Sequence, residues 1–286
     1  MPAAAVVAAV ALTACAPTAT LNALVPSGSH VRTVDVPYGP SPRQRADFYR
    51  PTSPAPAAGY PMVVFFYGGS WNRGDRHDYS FVGEALASRG VLVMVADYRL
   101  YPEVRYPDFL ADSARALAQG LEQAVALGAD PARVFVMGHS AGAYNAAMLA
   151  LDRRWLQAAG HGPRELAGWI GLAGPYDFLP IRNPEVQPVF HHPDYPADSQ
   201  PMDFALAGSP PSFVGAAAKD NLVDPQRNSA RMAARLEAAG VPVTYRVYDR
   251  ANHVTLAAAF AGPLRWIAPV LDDVVDFIER TPPVRP

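Results

Sequence analysis

From Met62 onward, short and nearly continuous apolar runs alternate with stretches in which apolar residues recur every three or four positions. The runs at Met62 to Phe66, Val91 to Ala96, Val134 to Met137, Trp169 to Leu172, Ser212 to Gly215 and Val243 to Val247 are short and lack polar alternation. They predict parallel strands covered on both faces. Between them, Tyr79 to Arg89, Phe109 to Leu127, Ala141 to Leu151, Pro225 to Ala239 and a segment within Thr255 to Arg280 carry helical periodicity. Alternation of this kind predicts an α/β fold, a mostly parallel, doubly wound sheet with helices on both faces. Ahead of it, Val31 to Val36 and Ala46 to Tyr49 follow period two around a Pro/Gly turn at Pro37 to Pro42, which predicts an antiparallel pair. Tyr176 to Gly208 breaks the rhythm. Rich in Pro and aromatics, it is either a long excursion over a site or a second small subdomain.

Composition narrows the function classes. A chain of 286 residues, 50% hydrophobic and 17% charged, buries a large core, which excludes a disordered tail or a small disulfide scaffold. With 24 basic and 26 acidic residues, the net charge of -2 offers no broad basic face, so nucleic acid is not an expected partner. A single cysteine, Cys15, excludes an internal disulfide and leaves too few thiols for a zinc or iron-sulfur site.

The setting of that cysteine carries its own signal. Pro2 to Leu12 is an apolar run of about ten residues, half of a bilayer crossing, which suits the h-region of a signal peptide. It ends in Leu12-Thr13-Ala14-Cys15, which resembles the lipobox of bacterial lipoproteins, although no Lys or Arg precedes the run. The resemblance implies removal of residues 1–14, lipidation at Cys15 and a tether over residues 15–30. It also implies a lipid-anchored position on the extracytoplasmic side of a bacterial cell envelope, periplasmic in a Gram-negative cell. An Ala-rich leader with an incidental thiol is the other reading. Residues 31–286 then form one globular domain, with 176–208 as a possible cap segment.

The strand Val134 to Met137 runs into Gly138-His139-Ser140-Ala141-Gly142 and then into an Ala-rich helix, the strand-turn-helix setting of a nucleophile elbow. Such a serine needs an acid and then a histidine after later strands. Asp220 follows the strand ending near Gly215, and His253 follows the strand ending near Val247. His253 would accept the Ser140 proton while ionised Asp220 fixes its tautomer. Asp224 is the rival acid, but its place before Pro225 suits an N-cap with Pro at the first helical position. Tyr67-Gly68-Gly69-Ser70-Trp71 follows the strand Met62 to Phe66, where the Gly69 and Ser70 amides would converge with that of Ala141 as an oxyanion hole.

These segments, with Tyr98-Arg99-Leu100-Tyr101-Pro102-Glu103, Pro107, Asp112, Asp130-Pro131-Ala132-Arg133 and Gly174-Pro175-Tyr176-Asp177, resemble the α/β-hydrolase superfamily. The resemblance is to the carboxylesterase branch that includes hormone-sensitive-lipase-like and feruloyl-esterase-like enzymes and kynurenine formamidases. It extends from about Val31 to the C-terminus. It implies an α/β-hydrolase fold with an irregular insertion over the site, and it supports Asp220 over Asp224 as the catalytic acid. Tyr67 departs from the family, which commonly places His there. The expected activity is hydrolysis of a small-molecule carboxylic ester through an acyl-enzyme, with no cofactor and no metal. An aryl formamidase or amidase on the same triad, or a silent envelope binding protein, are the alternatives. Trp71, Tyr176 and Phe178 line an acyl or aryl pocket or else belong to the core. His191-His192 reads as a surface loop, and His77 with Asp75 and Asp78 as a solvated turn.

Overall fold

The computed structural model describes residues 21–22 and 28–284; Cys15 and the segment before it lie outside the described residues. Eight strands form one sheet: β1 (His30–Pro37), β2 (Arg45–Pro51), β3 (Tyr60–Phe66), β4 (Leu92–Ala96), β5 (Ala129–His139), β6 (Gly168–Leu172), β7 (Ser212–Ala217) and β8 (Val243–Tyr248). Their order is β1-β2-β4-β3-β5-β6-β7-β8. β1 and β2 pair antiparallel, β2 joins β4 antiparallel, and every later pairing is parallel. Six strands thus fall where the apolar runs predict them. β3, β4, β6 and β7 are buried along their whole length, as strands covered on both faces must be, but β8 does not fit that expectation: it is the edge strand, and Val243 to Val247 run from half-buried to exposed. β1 is the exception to its own alternation: Val31 and Val34 are exposed, because it is an edge strand bulged between Thr33 and Val36.

Among the described residues, the helices that pack around the sheet are α1 (Ser80–Ala87), α2 (Asp108–Gln123), α3 (Ala141–Leu151), α4 (Arg153–Ala158), α5 (Arg231–Ala238), α6 (His253–Ala258) and α7 (Val270–Arg280). A Cβ at Gly120 of α2 would meet Val64 and Met62, whereas one at Gly83 of α1 would meet Tyr49, which is in register with Val93 and so with Val63. Neighbouring positions on a strand point to opposite faces, so α2 and α1 cover opposite faces of the sheet. Phe277 of α7 packs on Phe135, in register with Val63, and joins the face of α1. α3 is apolar nearly all round and is buried from Ala141 to Ala150, its alanines permitting close approach to β5 and β6.

Two predicted helices are subdivided. The region Thr255 to Arg280 holds α6 and α7, separated by a connection containing Pro263 and Pro269. The stretch Pro225 to Ala239 opens with a π-helical turn, Gln226–Ala230, before α5. Residues 176–208 carry two 3-10 turns, Gln187–Phe190 and Pro201–Phe204. Val189 and Phe190 of this segment join the main hydrophobic core, while Phe178, Ile181 and Val186 reach a cavity at the sheet's carboxyl edge.

Candidate active site

β3, β5, β7 and β8 end on the same edge of the sheet, and the loops that follow them meet there. At the end of β5 the chain turns sharply at Ser140, with φ 54° and ψ -121°, before entering α3. This left-handed backbone is costly for a non-glycine residue and is held by close packing on either side. A Cβ on Gly138 would lie 2.1 Å from the Gly142 carbonyl oxygen, and one on Gly142 would lie 2.0 Å from that of Phe66. Both positions therefore exclude a side chain. The Ser140 amide donates to the Leu172 carbonyl at 2.9 Å, which ties the turn to β6.

Ser140 Oγ lies 2.8 Å from His253 Nε2, and His253 Nδ1 lies 2.7 Å from Asp220 Oδ2. The other oxygen of Asp220 accepts from the amides of Leu222 and Val223, each at 2.9 Å. Burial opposes ionisation of Asp220, but His253 and the two amides outweigh it and hold its carboxyl below the ordinary carboxylate value. An ionised Asp220 keeps the His253 proton on Nδ1 and leaves Nε2 free to accept one from Ser140. Asp224 also lines the cavity, but its Oδ1 accepts from the amides of Gln226 and Arg227 at 2.9 and 3.2 Å, the cap geometry its place before Pro225 predicts.

After β3, Ser70 and Trp71 both take positive φ, so the amides of Asn72 and Arg73 fold back onto the Gly69 carbonyl at 3.1 Å. Ser70 and Ala141 line a cavity of about 660 Å³ together with Ser140, Asp220 and His253. Gly69 closes the turn beside them and is not among the lining residues. The amides of Gly69, Ser70 and Ala141 have no hydrogen-bond partner among the described residues, so they remain available to an oxyanion.

Of the three aromatics, Trp71 and Phe178 line the cavity, their rings stacked with centroids 6.2 Å apart. Trp71 Nε1 donates to Asn145 Oδ1 at 3.0 Å, and the ring lies edge-on to Tyr144 and Phe190. Tyr176 does not fit the expectation of a pocket residue. It is fully buried against Trp169, where the glycines at 171 and 174 make room for its ring, and it belongs to the core. Tyr67, where the family commonly has His, is buried in a stack between Tyr98 and Tyr79 at 4.9 and 5.9 Å, and its hydroxyl accepts from Arg43 at 2.8 Å. The substitution thus fills a core position behind the loop.

Sequence reasoning missed several supports. Asn228 Oδ1 accepts from the amides of Tyr176 and Asp177 at 2.7 and 2.9 Å, and Arg227 and Arg231 pair with Asp177. Arg73 bridges to Glu185 of the irregular segment at 2.7 Å. Nothing in the local sequence of these polar residues marks them as partners of distant loops. Asp35, Asp47 and His77 bring one ligand atom each within 4.8 Å of one another, but Arg76 and Arg32 already neutralise the two carboxylates, a poor setting for a cation. His191 and His192 turn to different partners, the Tyr106 carbonyl and the Tyr195 hydroxyl. No helix among the described residues is long and apolar enough to cross a membrane.

Comparison with known proteins places this geometry in a family. The family model BD-FAE matches residues 46–236. A probable isoprenylcysteine alpha-carbonyl methylesterase of Oryza sativa is 33% identical over 144 residues, 49% of this chain and 34% of that protein. The match thus spans about a third of that relative's length. Carboxylesterase NlhH of Mycobacterium tuberculosis is 33% identical over 208 residues, 64% of this chain and 62% of that protein. Among solved structures, a truncated carbohydrate esterase from gut microbiota superposes with a TM-score of 0.75 at 16% identity, covering 90% of this chain and 98% of that one. The chain belongs to the BD-FAE family.

Proposed function

We propose that this protein is a serine carboxylesterase that works through an acyl-enzyme. Ser140 Oγ attacks the ester carbonyl as its proton passes to His253 Nε2, and Asp220 orients the ring and stabilises the imidazolium. The amides of Ser70 and Ala141, with Gly69 beside them, hold the developing oxyanion. Collapse of the tetrahedral intermediate breaks the bond to the alcohol oxygen, which takes the proton from His253; water then enters by the same route and releases the acid. The observation that carries this reading is the unbroken pair of hydrogen bonds, 2.8 and 2.7 Å, from Ser140 through His253 to Asp220. Trp71 and Phe178 favour an aryl or short acyl group beside Ser140.

The test is hydrolysis of a short-chain aryl ester, with an N-formyl aryl amide alongside to separate ester from amide preference. Ser140→Ala lowers turnover by about a thousandfold or more and abolishes labelling by a fluorophosphonate. Ester hydrolysis that survives this change overturns the assignment.

We further propose that the mature chain begins at a lipidated Cys15 and is held at a bacterial cell envelope. Its support is the tetrapeptide Leu12-Thr13-Ala14-Cys15 after an apolar run. Mass spectrometry of the native N-terminus decides it: an unmodified Cys15 thiol overturns the anchor and leaves the hydrolase untouched.

A further inference from the structure

His139 is the variable residue of the Gly-His-Ser-Ala-Gly turn, yet only 5% of it is exposed and it is fully committed to hydrogen bonds. Its Nε2 lies 2.9 Å from the backbone carbonyl oxygen of His253. A carbonyl only accepts, so Nε2 carries the proton and donates. Burial, and then the neighbouring His253, hold the His139 pKa down at about 3, so the ring is neutral around pH 7 and its Nδ1 is an acceptor. Tyr79 Oη, on the segment between β3 and α1, lies 3.4 Å from Nδ1 and faces it as a donor. One chain of hydrogen bonds therefore joins the loop after β3, the turn after β5 and the loop after β8. Those three segments bring the free amides, Ser140 and His253 to the site.

Asp220 sets the orientation of the His253 ring through Nδ1, but the reach of Nε2 toward Ser140 depends on where the His253 backbone stands. The His139 bond is made to that backbone. His139 does not line the cavity, so it has no direct route to substrate affinity.

We propose that His139 is a positioning residue: by donating to the His253 carbonyl and accepting from Tyr79, it sets the distance between His253 Nε2 and Ser140 Oγ. This rests on the serine mechanism proposed above. A displacement of about 1 Å at such a site costs about a hundredfold in rate.

The test uses the full-length protein and a short-chain aryl ester, with Ser140→Ala assayed first; if hydrolysis survives that change, it is the serine reading that fails, independently of His139. His139→Met removes the donor at similar bulk, and kcat falls by about a hundredfold while KM stays within about threefold. His139→Gln places an amide donor near the position of Nε2 and returns kcat to within about tenfold of the parent. A folded Met variant with near-parental kcat, or Met and Gln variants impaired alike, overturns the proposal. Should the Met variant not fold, Tyr79→Phe decides: kcat falls about fivefold at constant KM if the network positions the ring, and an unchanged kcat overturns it.

Discussion

Asp220 Oδ2 meets His253 Nδ1 at 2.7 Å, while Asp224, four residues further on, spends its carboxylate on the helix that begins after Pro225. On the proposed mechanism, two acids in one loop are thereby divided between chemistry and capping. Asp220→Asn lowers kcat by about ten-thousandfold, because an amide at that position permits the wrong tautomer of His253. Asp224→Ala leaves kcat within about threefold and costs about 1 kcal/mol of stability. Steady-state kinetics and urea unfolding of the two variants separate the roles, and a larger kinetic loss at Asp224 reverses them.

Acid sensitivity follows from His139. Its pKa falls from 6.5 in the ordinary imidazole to about 3 in the folded protein, through burial and then the proximity of His253. Below pH 6.5 the unfolded chain takes up a proton that the folded chain refuses, so stability is complete above that pH and declines on acidification toward pH 3. The slope attributable to this residue approaches about 1.4 kcal/mol per pH unit. Asp220 acts in the same sense at lower pH, its contribution being present above the unfolded carboxyl value and lost as the pH falls through the folded one. Urea unfolding at pH 7 and pH 5 gives a shallower difference for His139→Gln than for the parent; equal differences refute this account.

Gly142 sits against the backbone of the central strand β3, which cannot retreat. Gly142→Ala brings a methyl group to within 2.0 Å of the Phe66 carbonyl oxygen. The cost is about 3 kcal/mol or more, read as a shift of the urea midpoint or as failure to fold. Gly162→Ala, which meets nothing within 4 Å, changes stability by about 0.5 kcal/mol or less.

Phe178 closes the cavity from the irregular segment and stacks on Trp71. Phe178→Ala raises KM for an aryl ester by about tenfold and leaves kcat nearly unchanged, the signature of binding lost equally from ground and transition states. An unaltered KM places the aryl group elsewhere.

Arg76 is surrounded by three carboxylates, those of Asp35, Asp47 and Asp97, the latter two buried. Arg76→Gln leaves Asp47 with Arg32 alone and Asp97 with only the more distant Arg43, 3.9 Å away, and costs about 3 kcal/mol, measured by denaturant unfolding.

The inner parallel strands were legible because burial on both faces leaves continuous apolar runs, and Ser140 because its glycines answer a local steric need. Asp224 could be set aside on the strength of Pro225 alone. What escaped depends on long-range geometry. β5 begins at Ala129, because Ala129 pairs with Tyr60, a register that no local pattern announces. Tyr176 was indistinguishable from Phe178 as a pocket aromatic, since what houses its ring is the space at Gly171 and Gly174 beside Trp169, a fit that the order of residues does not show. The role of His139 left no trace at all. Its partner is a main-chain carbonyl 114 residues away, a group that every residue possesses.

That separation has a meaning during synthesis. Ser140 and His253 lie 113 residues apart, and β6, β7 and β8 are all made between them. When Ser140 is made, the residues of β6, β7 and β8 are still to come before His253, so on the proposed mechanism its hydroxyl lacks a base until those strands exist. On that mechanism the three residues of the proposed triad come together only after almost the whole sheet has been made.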